Sequence, residues 1–398
     1  MTVVGIGADG WRGLSPDAQQ ALCRAEIVFG SQRQLDLLPA AVTAPRRAWP
    51  APLTPALPHL LAEHAGQCVA VLASGDPMLF GIGTTLVRLL GAEAVHVLAH
   101  PSSVSLACAR LGWPLEDVEI VSAVGRPLAT LHAAVQPGRR LLVLLGDAAG
   151  AASVAQLLRD RGYGASSVTL LEQLGGPRER LLAATADTWL PDDHDPLAIV
   201  AVQCVADAGA VALPRSPGLP EEAYAHDGQI TKREIRAVAL AALAPIPGQL
   251  LWDVGAGSGS VGIEWLRTHP ANRAIAIEPR EDRRALIAGN AAALGVPGLQ
   301  IVAGRAPEAL DGLPAPDAVF VGGGVSVPGV LEACVAALAP GGRLVADAVT
   351  LEGEGVLAGW HARLGGALTR IAIQRAAPVG AFTGWRPALP VTQWSYRA

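Results

Sequence analysis

The sequence predicts an α/β protein in two parts, the second a Rossmann-like nucleoside-binding domain with a mostly parallel seven-stranded sheet. Three observations carry this. Leu250 to Ser260, LLWDVGAGSGS, is an apolar run into Asp253 followed by glycines at 255, 257 and 259. It reads as a buried strand, a glycine-rich turn and a helix from Val261 to about Arg267. Glycine has no Cβ, so such a turn brings backbone N–H groups and a helix N-terminus close to a ligand. Further on, Ala274-Ile275-Ala276-Ile277 ends in Glu278, a carboxylate at a second strand tip, where ribose hydroxyls are held in domains of this kind. Finally, strand-like and helix-like stretches alternate along most of the chain, the pattern of α/β units.

In order, Val3-Val4 and Gly5-Ile6-Gly7 form a short strand into a turn. Ser15-Pro16-Asp17 starts a helix: a capping hydroxyl, a proline at the first helical position, then an acid. Residues 27–30 are a second strand. Residues 44–58 carry five prolines and are expected as an ordered loop. Residues 67–73 form a strand ending in the polar turn Ser74-Gly75-Asp76-Pro77. A helix at 83–90 and a strand at 94–98 follow, then strands at 118–122, 140–145, 167–171 and 198–203. Patterning fades over 206–222, where Pro214, Pro217 and Pro220 cluster, so this stretch is a linker between domains at 1–205 and 223–398. Thr231-Lys232-Arg233-Glu234 has the form of a capping box, with its helix running to about Leu243. Strands are expected at 249–254, 273–278, 299–303, 317–322 and 342–348, with a terminal pair at 368–376 and 391–396. The two halves show no internal repeat.

Composition narrows the classes. The chain has 398 residues, 51% hydrophobic and 16% charged, enough for two or three packed domains. A formal charge of −5 gives no basic face for nucleic acid. Cysteines 23, 68, 108, 204 and 334 are scattered without a C-x-x-C pair, as in a reduced intracellular protein. No apolar run is long enough to span a membrane, and the N-terminus lacks the layout of a signal peptide, so the cytoplasm is expected. Lys232 is the single lysine against 29 arginines. Either an ammonium is needed there, or it is a chance survivor on a helix surface.

Both Gly257–Gly262 and Gly5–Gly10 satisfy G-x-G-x-x-G, but the context is wrong for a dinucleotide site. The second-half strand ends at Val254, so Gly255 takes the first glycine's place and Ser260 the third's. The form D-x-G-x-G-x-G with a strand-end Glu resembles S-adenosylmethionine methyltransferases more than nicotinamide enzymes, with a purely structural turn as the third reading. Longer stretches extend the resemblance. Pro217–Pro220, His226–Glu234, LWDVGAGSGS, PAPDAVFVGGG (314–324) and PGGRLVADAVTLE (340–352) are similar to the C-terminal part of cobalamin-pathway methyltransferases. VVGIG (3–7), ASGDPMLFGIG (73–83), HPSSVSLACARLGW (100–113) and LLEQLGGPRER (170–180) resemble the tetrapyrrole methylase family, whose fold is two α/β subdomains.

The resemblance implies a fused enzyme of vitamin B12 biosynthesis. It would transfer two methyl groups, to carbons 5 (first domain) and 15 (second domain) of a precorrin, and remove carbon dioxide from the ring C acetate. S-Adenosylmethionine would bind once per domain, with no metal. Gly75, Asp76, Pro77, Ser102 and Ser103 would hold it in the first domain, with Gly5 and Gly7 facing the tetrapyrrole. In the second, Gln229, Thr231, Asp253, Gly255, Gly257, Gly259, Glu278, Gly304, Arg305 and Ala306 would hold it. Arg233, Gly322, Gly323 and Gly324 would meet the substrate, and His226, Asp227 and Lys232 are the candidate proton donors for decarboxylation. A homo-oligomer is also implied. A methyltransferase for another tetrapyrrole or for RNA, and a SAM-binding protein without turnover, are the alternatives.

Overall fold

The structure, a computed structural model, describes residues 1–146, 150–190 and 195–398. It opens on a parallel sheet of order β3-β2-β4-β1-β5. Its strands are β1 (Thr2–Ile6), β2 (Ile27–Gly30), β3 (Arg46–Ala48), β4 (Val69–Ser74) and β5 (His96–Leu98). Between them lie α1 (Pro16–Arg24), α2 (Gln32–Asp36), α3 (Leu53–Glu63) and α4 (Ile82–Leu90), with α5 (Ser103–Leu111) after β5. β1 and β4 read as unbroken apolar runs because both faces are covered; Val3, Val4, Ile6 and Val71 are wholly buried. As predicted, α1 begins at a capping serine: Ser15 Oγ accepts from Ala18 N at 3.2 Å and Pro16 is the first helical residue.

The proline-rich stretch at 44–58 is not a loop. It contains β3 and the start of α3. Pro52 precedes the helix and Pro55 falls in its first turn, where no N–H partner is needed; Pro58 alone interrupts the interior. Proline count overstates disruption when the prolines gather at a helix start.

A second sheet, of order β6-β7-β10-β8-β9, comprises β6 (Val118–Ser122), β7 (Arg140–Leu144), β8 (Ser167–Glu172), β9 (Arg180–Thr185) and β10 (Ala198–Gln203), with α6 (Ala151–Asp160) between β7 and β8. Here β6 and β7 are parallel and the remaining pairs antiparallel. Val104, Ala107 and Cys108 of α5 pack with Leu142, Leu171 and Ile199 of this sheet. The two sheets belong to one compact unit, Met1–Arg126 with Pro137–Ala210.

The other unit is Val211–Ala398 together with Pro127–Gln136. It begins with α7 (Arg233–Leu243). The alternation β11 (Leu250–Val254), α8 (Ser260–Thr268), β12 (Arg273–Glu278), α9 (Glu281–Ala293), β13 (Gln300–Ala303), β14 (Ala318–Val321), α10 (Val330–Ala337), β15 (Arg343–Ala348) and α11 (Leu351–Leu364) follows. The chain ends in β16 (Ala367–Ile371), β17 (Gln374–Val379), β18 (Phe382–Pro387) and β19 (Val391–Arg397). Seven strands form one sheet, β13-β12-β11-β14-β15-β19-β16, in which β19 alone runs antiparallel to its neighbours. Leu251, Ala276, Phe320 and Val345 fill one face under α7 and α8, and Trp252, Ile275, Val319 and Leu344 the other.

Two expectations are corrected here. The capping box at Thr231–Glu234 does not form: Lys232 occupies the cap position with no side-chain hydrogen bond. The Thr231 carbonyl instead accepts from Arg236, at 2.5 Å. The expected strand 368–376 is two strands, because the chain changes partner at Ala372-Ile373: β16 pairs with β19, and β17 with β18 as a separate hairpin.

Candidate functional sites

In the first unit a cavity of about 430 Å³ lies between the two sheets. It sits at the C-terminal ends of β1 and β4, where open parallel sheets bind ligands. Gly7, Gly75, Asp76, Ser102 and Ser103 line it, so the structure gathers most of the residues singled out there. Asp76 Oδ1 accepts from Met78 N at 2.8 Å, closing the turn that follows Gly75. Gly75 has φ +57°, a left-handed conformation that favours glycine.

Three residues have other tasks. Gly5 does not line the cavity; a Cβ there would lie 2.1 Å from the Gly75 carbonyl oxygen and 2.7 Å from His100 N, so it is glycine to let β1 meet the turn. Pro77 is buried against Gly81 and Gly83. The Ser102 hydroxyl caps α5, accepting from Ser105 N at 3.0 Å.

The sequence reading missed the polar end of this cavity. Arg33 Nη2 and Gln34 Nε2 both donate to Ser74 Oγ, at 2.9 and 3.0 Å, and both residues line the wall. Burial pulls the Arg33 guanidinium below its usual pKa, against the attraction of Asp195. Nearby, buried His100 contacts Asp9 at 3.1 Å through Nε2. The HPSS stretch carried a signal for His100; nothing local marks Arg33, which reaches the cavity through α2.

In the second unit a cavity of about 610 Å³ opens at the C-terminal ends of β11, β14 and β15. Gln229, Thr231, Lys232, Gly255, Gly257, Gly322 and Gly323 line it. Gly255, Gly257 and Gly259 have φ of +71°, +59° and +76°, for three reasons. A Cβ on Gly255 would meet the Gly323 backbone at 2.9 Å, and one on Gly259 would meet Ile287 at the same distance. At Gly257 the nearest atom is the Gln229 carbonyl oxygen at 3.9 Å, leaving open space before the turn.

The acids behind the turn hold it together. Glu278, 2% exposed, accepts from Gly257 N at 2.9 Å and Arg280 N at 3.0 Å. Asp253, 1% exposed, accepts from Gly262 N at 2.9 Å and so fixes the first turn of α8. Burial pushes the Asp253 carboxyl up to about 7, with the Glu278 charge adding to the rise and the Gly262 N–H opposing it. Neither carboxylate lines the cavity, nor do Gly259, Gly304, Arg305, Ala306, Arg233 and Gly324. Gly304–Ala306 follow β13, whose Ala303 pairs with Glu278.

Of the three candidate proton donors, Lys232 lines the cavity, and its Nζ donates to Glu221 at 2.7 Å. Asp227 accepts from Arg283 at 2.8 and 2.9 Å, which holds its carboxyl below the usual range, so it stays ionised and has no proton to donate. His226 lies outside the wall, its Nδ1 accepting from Gly228 N at 3.0 Å. One acid the sequence reading did not single out, Asp347 of β15, also lines this cavity.

Two family models match the chain: tetrapyrrole (corrin/porphyrin) methylases over residues 1–189, and the precorrin methyltransferase domain over 222–398. A Sinorhizobium protein named precorrin-6Y C(5,15)-methyltransferase [decarboxylating] is 49% identical over 396 residues, covering 100% of this chain and 96% of that one. A Salmonella typhimurium cobalt-precorrin-7 C(5)-methyltransferase is 32% identical over 192 residues, 48% of this chain and 90% of its own. A Pyrobaculum calidifontis protein named "Probable cobalt-precorrin-6B C(15)-methyltransferase (decarboxylating)" is 40% identical over 142 residues, 34% of this chain and 72% of its own. With both family models present in this order and near-half identity to a full-length relative, the chain belongs to the precorrin-6Y C(5,15)-methyltransferase (decarboxylating) family.

Proposed function

We propose that this chain methylates precorrin-6Y at carbons 5 and 15 and removes the ring C acetate carboxyl, giving precorrin-8X. In this reading the first unit serves carbon 5, and the second serves carbon 15 and the decarboxylation. The observation that carries it is one glycine-walled cavity in each unit, both within the ~300–1,000 Å³ range of cofactor and substrate pockets. That the Salmonella and Pyrobaculum relatives bear the two activities in separate names supports the division.

S-Adenosylmethionine fits both cavities, and when bound it supplies an activated methyl group. Gly75, Asp76 and Ser103 would hold it in the first unit, and Gln229, Thr231, Gly255 and Gly257 in the second. The open space before Gly257 is what a ligand pressed against backbone needs. An electron-rich macrocycle carbon requires no strong base, so the residues act chiefly by positioning, where a misplacement of ~1 Å costs about 100-fold. Arg33 in the first cavity is a cation placed to hold a substrate carboxylate. The reading includes a homo-oligomer, supported by exposed Phe382 and Trp385 on the β17–β18 hairpin.

Single substitutions in the full chain test the division. Asp76→Ala removes the acceptor that closes the first turn and is expected to lower carbon 5 methylation about 100-fold while sparing carbon 15. Gly257→Val forces a β-branched residue into a left-handed conformation and is expected to do the reverse. Mass spectrometry of products from precorrin-6Y reads both. Loss of both methylations from either change, in a folded protein, would overturn the two-site assignment.

A further inference from the structure

Five charged residues line the cavity of the second unit: Lys232, Glu234, Arg283, Asp347 and Arg375. Four have ionic partners. Lys232 pairs with Glu221, Arg283 with Asp227, and Glu234 with Arg375. Asp347 has none among the described residues. Its Oδ1 accepts from Gln393 Nε2 at 2.9 Å, while its Oδ2 is covered and meets no hydrogen-bond partner among the described residues.

The strand register sets this arrangement. Asp347 stands opposite Gln393 in the antiparallel β15–β19 pair. Side chains alternate along β15: Leu344, Ala346 and Ala348 face one core, so Val345 and Asp347 face the other side, toward α7. Phe320, Val349, Ile373, Leu389 and Val391 line the same cavity. Burial in it pushes the Asp347 carboxyl up to about 7, against the Gln393 hydrogen bond, and no charged neighbour contributes. The other charged groups of this cavity, Lys232 and Glu234 at the start of α7, Arg283 on α9 and Arg375 on β17, each have an ionic partner of their own.

A half-buried carboxyl on a cavity wall, held through one oxygen by an amide and with no ionic partner among the described residues, is placed to carry a proton to a ligand. Resting on the substrate reading above, we infer that Asp347 is the proton donor of the decarboxylation. The step balances without an oxidant or reductant. The bond between the acetate methylene and its carboxyl carbon breaks, carbon dioxide leaves, and the electron pair passes into the conjugated macrocycle. The Asp347 carboxyl then protonates the methylene carbon, which becomes a methyl group, and the carboxylate takes a proton back from solvent.

The test uses the full chain with S-adenosylmethionine and precorrin-6Y, following products by mass spectrometry. Asp347→Asn keeps the shape and an acceptor for Gln393 but has no acidic proton. It is expected to accumulate a product carrying its methyl groups and still holding the ring C carboxyl, with decarboxylation slowed at least ~100-fold; Asp347→Glu should restore part of the rate. In the unsubstituted chain, decarboxylation should fall as pH rises through about 7, whereas methyl transfer should not follow that curve. Decarboxylation by Asp347→Asn at the unsubstituted rate overturns the proposal. If Asp347→Asn is inactive in both reactions, the pH profile decides, and a flat decarboxylation profile overturns it. An unsubstituted chain that leaves precorrin-6Y unchanged overturns the substrate reading and this inference together.

Discussion

Glu264, Asp253 and Asp347 are all acids of the second unit, yet their neighbours give them different tasks. Glu264, 2% exposed, is the centre of a clip. It accepts from Gly218 N at 2.7 Å, Leu219 N at 2.9 Å, Tyr224 Oη at 2.9 Å and Arg236 Nε at 2.6 Å. Arg236 is wholly buried, donates also to the Leu219 carbonyl, and stacks its guanidinium 4.9 Å from the Tyr224 ring. One carboxylate thus ties the segment before α7 to α8. Removing it strands the Arg236 charge in the interior, which costs about 3–5 kcal/mol. Glu264→Ala should therefore lower the unfolding free energy of the second unit, read by chemical denaturation, by that amount. A loss under ~1 kcal/mol, the worth of an exposed pair, would show the clip contributes little.

At the scale of elements, the strand–turn–helix of β11 and α8 rests on Asp253. Its carboxyl is raised to about 7 from an ordinary 3.8, so the folded state holds a proton that the unfolded chain releases at lower pH. The native state is therefore penalised as pH rises from about 4, with the penalty complete above about 7 and on the order of 4 kcal/mol at most. Asp253→Asn keeps an oxygen for Gly262 N–H and removes the titration. Denaturation midpoints of the two proteins from pH 4 to 8 should diverge, the variant gaining relative stability as pH rises. Parallel curves would place the titration elsewhere. This element was the most legible part of the sequence, because burial, left-handed glycines and a strand-end acid each leave a residue-type signature. Asp347 was not. In LVADAVT it is one polar residue in an apolar strand, and only the register against Gln393 and the wall of α7 show where its carboxyl points. The β17–β18 hairpin was hidden for a related reason: its alternation continues that of β16, and the change of pairing partner leaves no mark in residue type.

At the scale of the whole molecule, sequence order and three-dimensional membership part company at Pro127–Gln136. These residues fall within the stretch matched by the tetrapyrrole methylase family model, yet they group with the second unit. Their short helical turn, Leu128–Ala133, packs on α9. Gly295, just past α9, has φ +82°, and a Cβ there would lie 2.3 Å from Ala133 N, so the chain approaches as only glycine allows. Composition carries no label for which core a segment joins, and the linker at 206–222 gave no hint that ten earlier residues lie beyond it. Leu131 and Val135 in this segment are wholly buried. Leu131→Ala should therefore cost about 2–5 kcal/mol, and the cost should fall on the second unit. Hydrogen exchange read by mass spectrometry locates it. Faster exchange in α9, with β6 and β7 unchanged, is the expected result. Faster exchange in β6 and β7 with α9 unaffected would return the segment to the unit its sequence position implies.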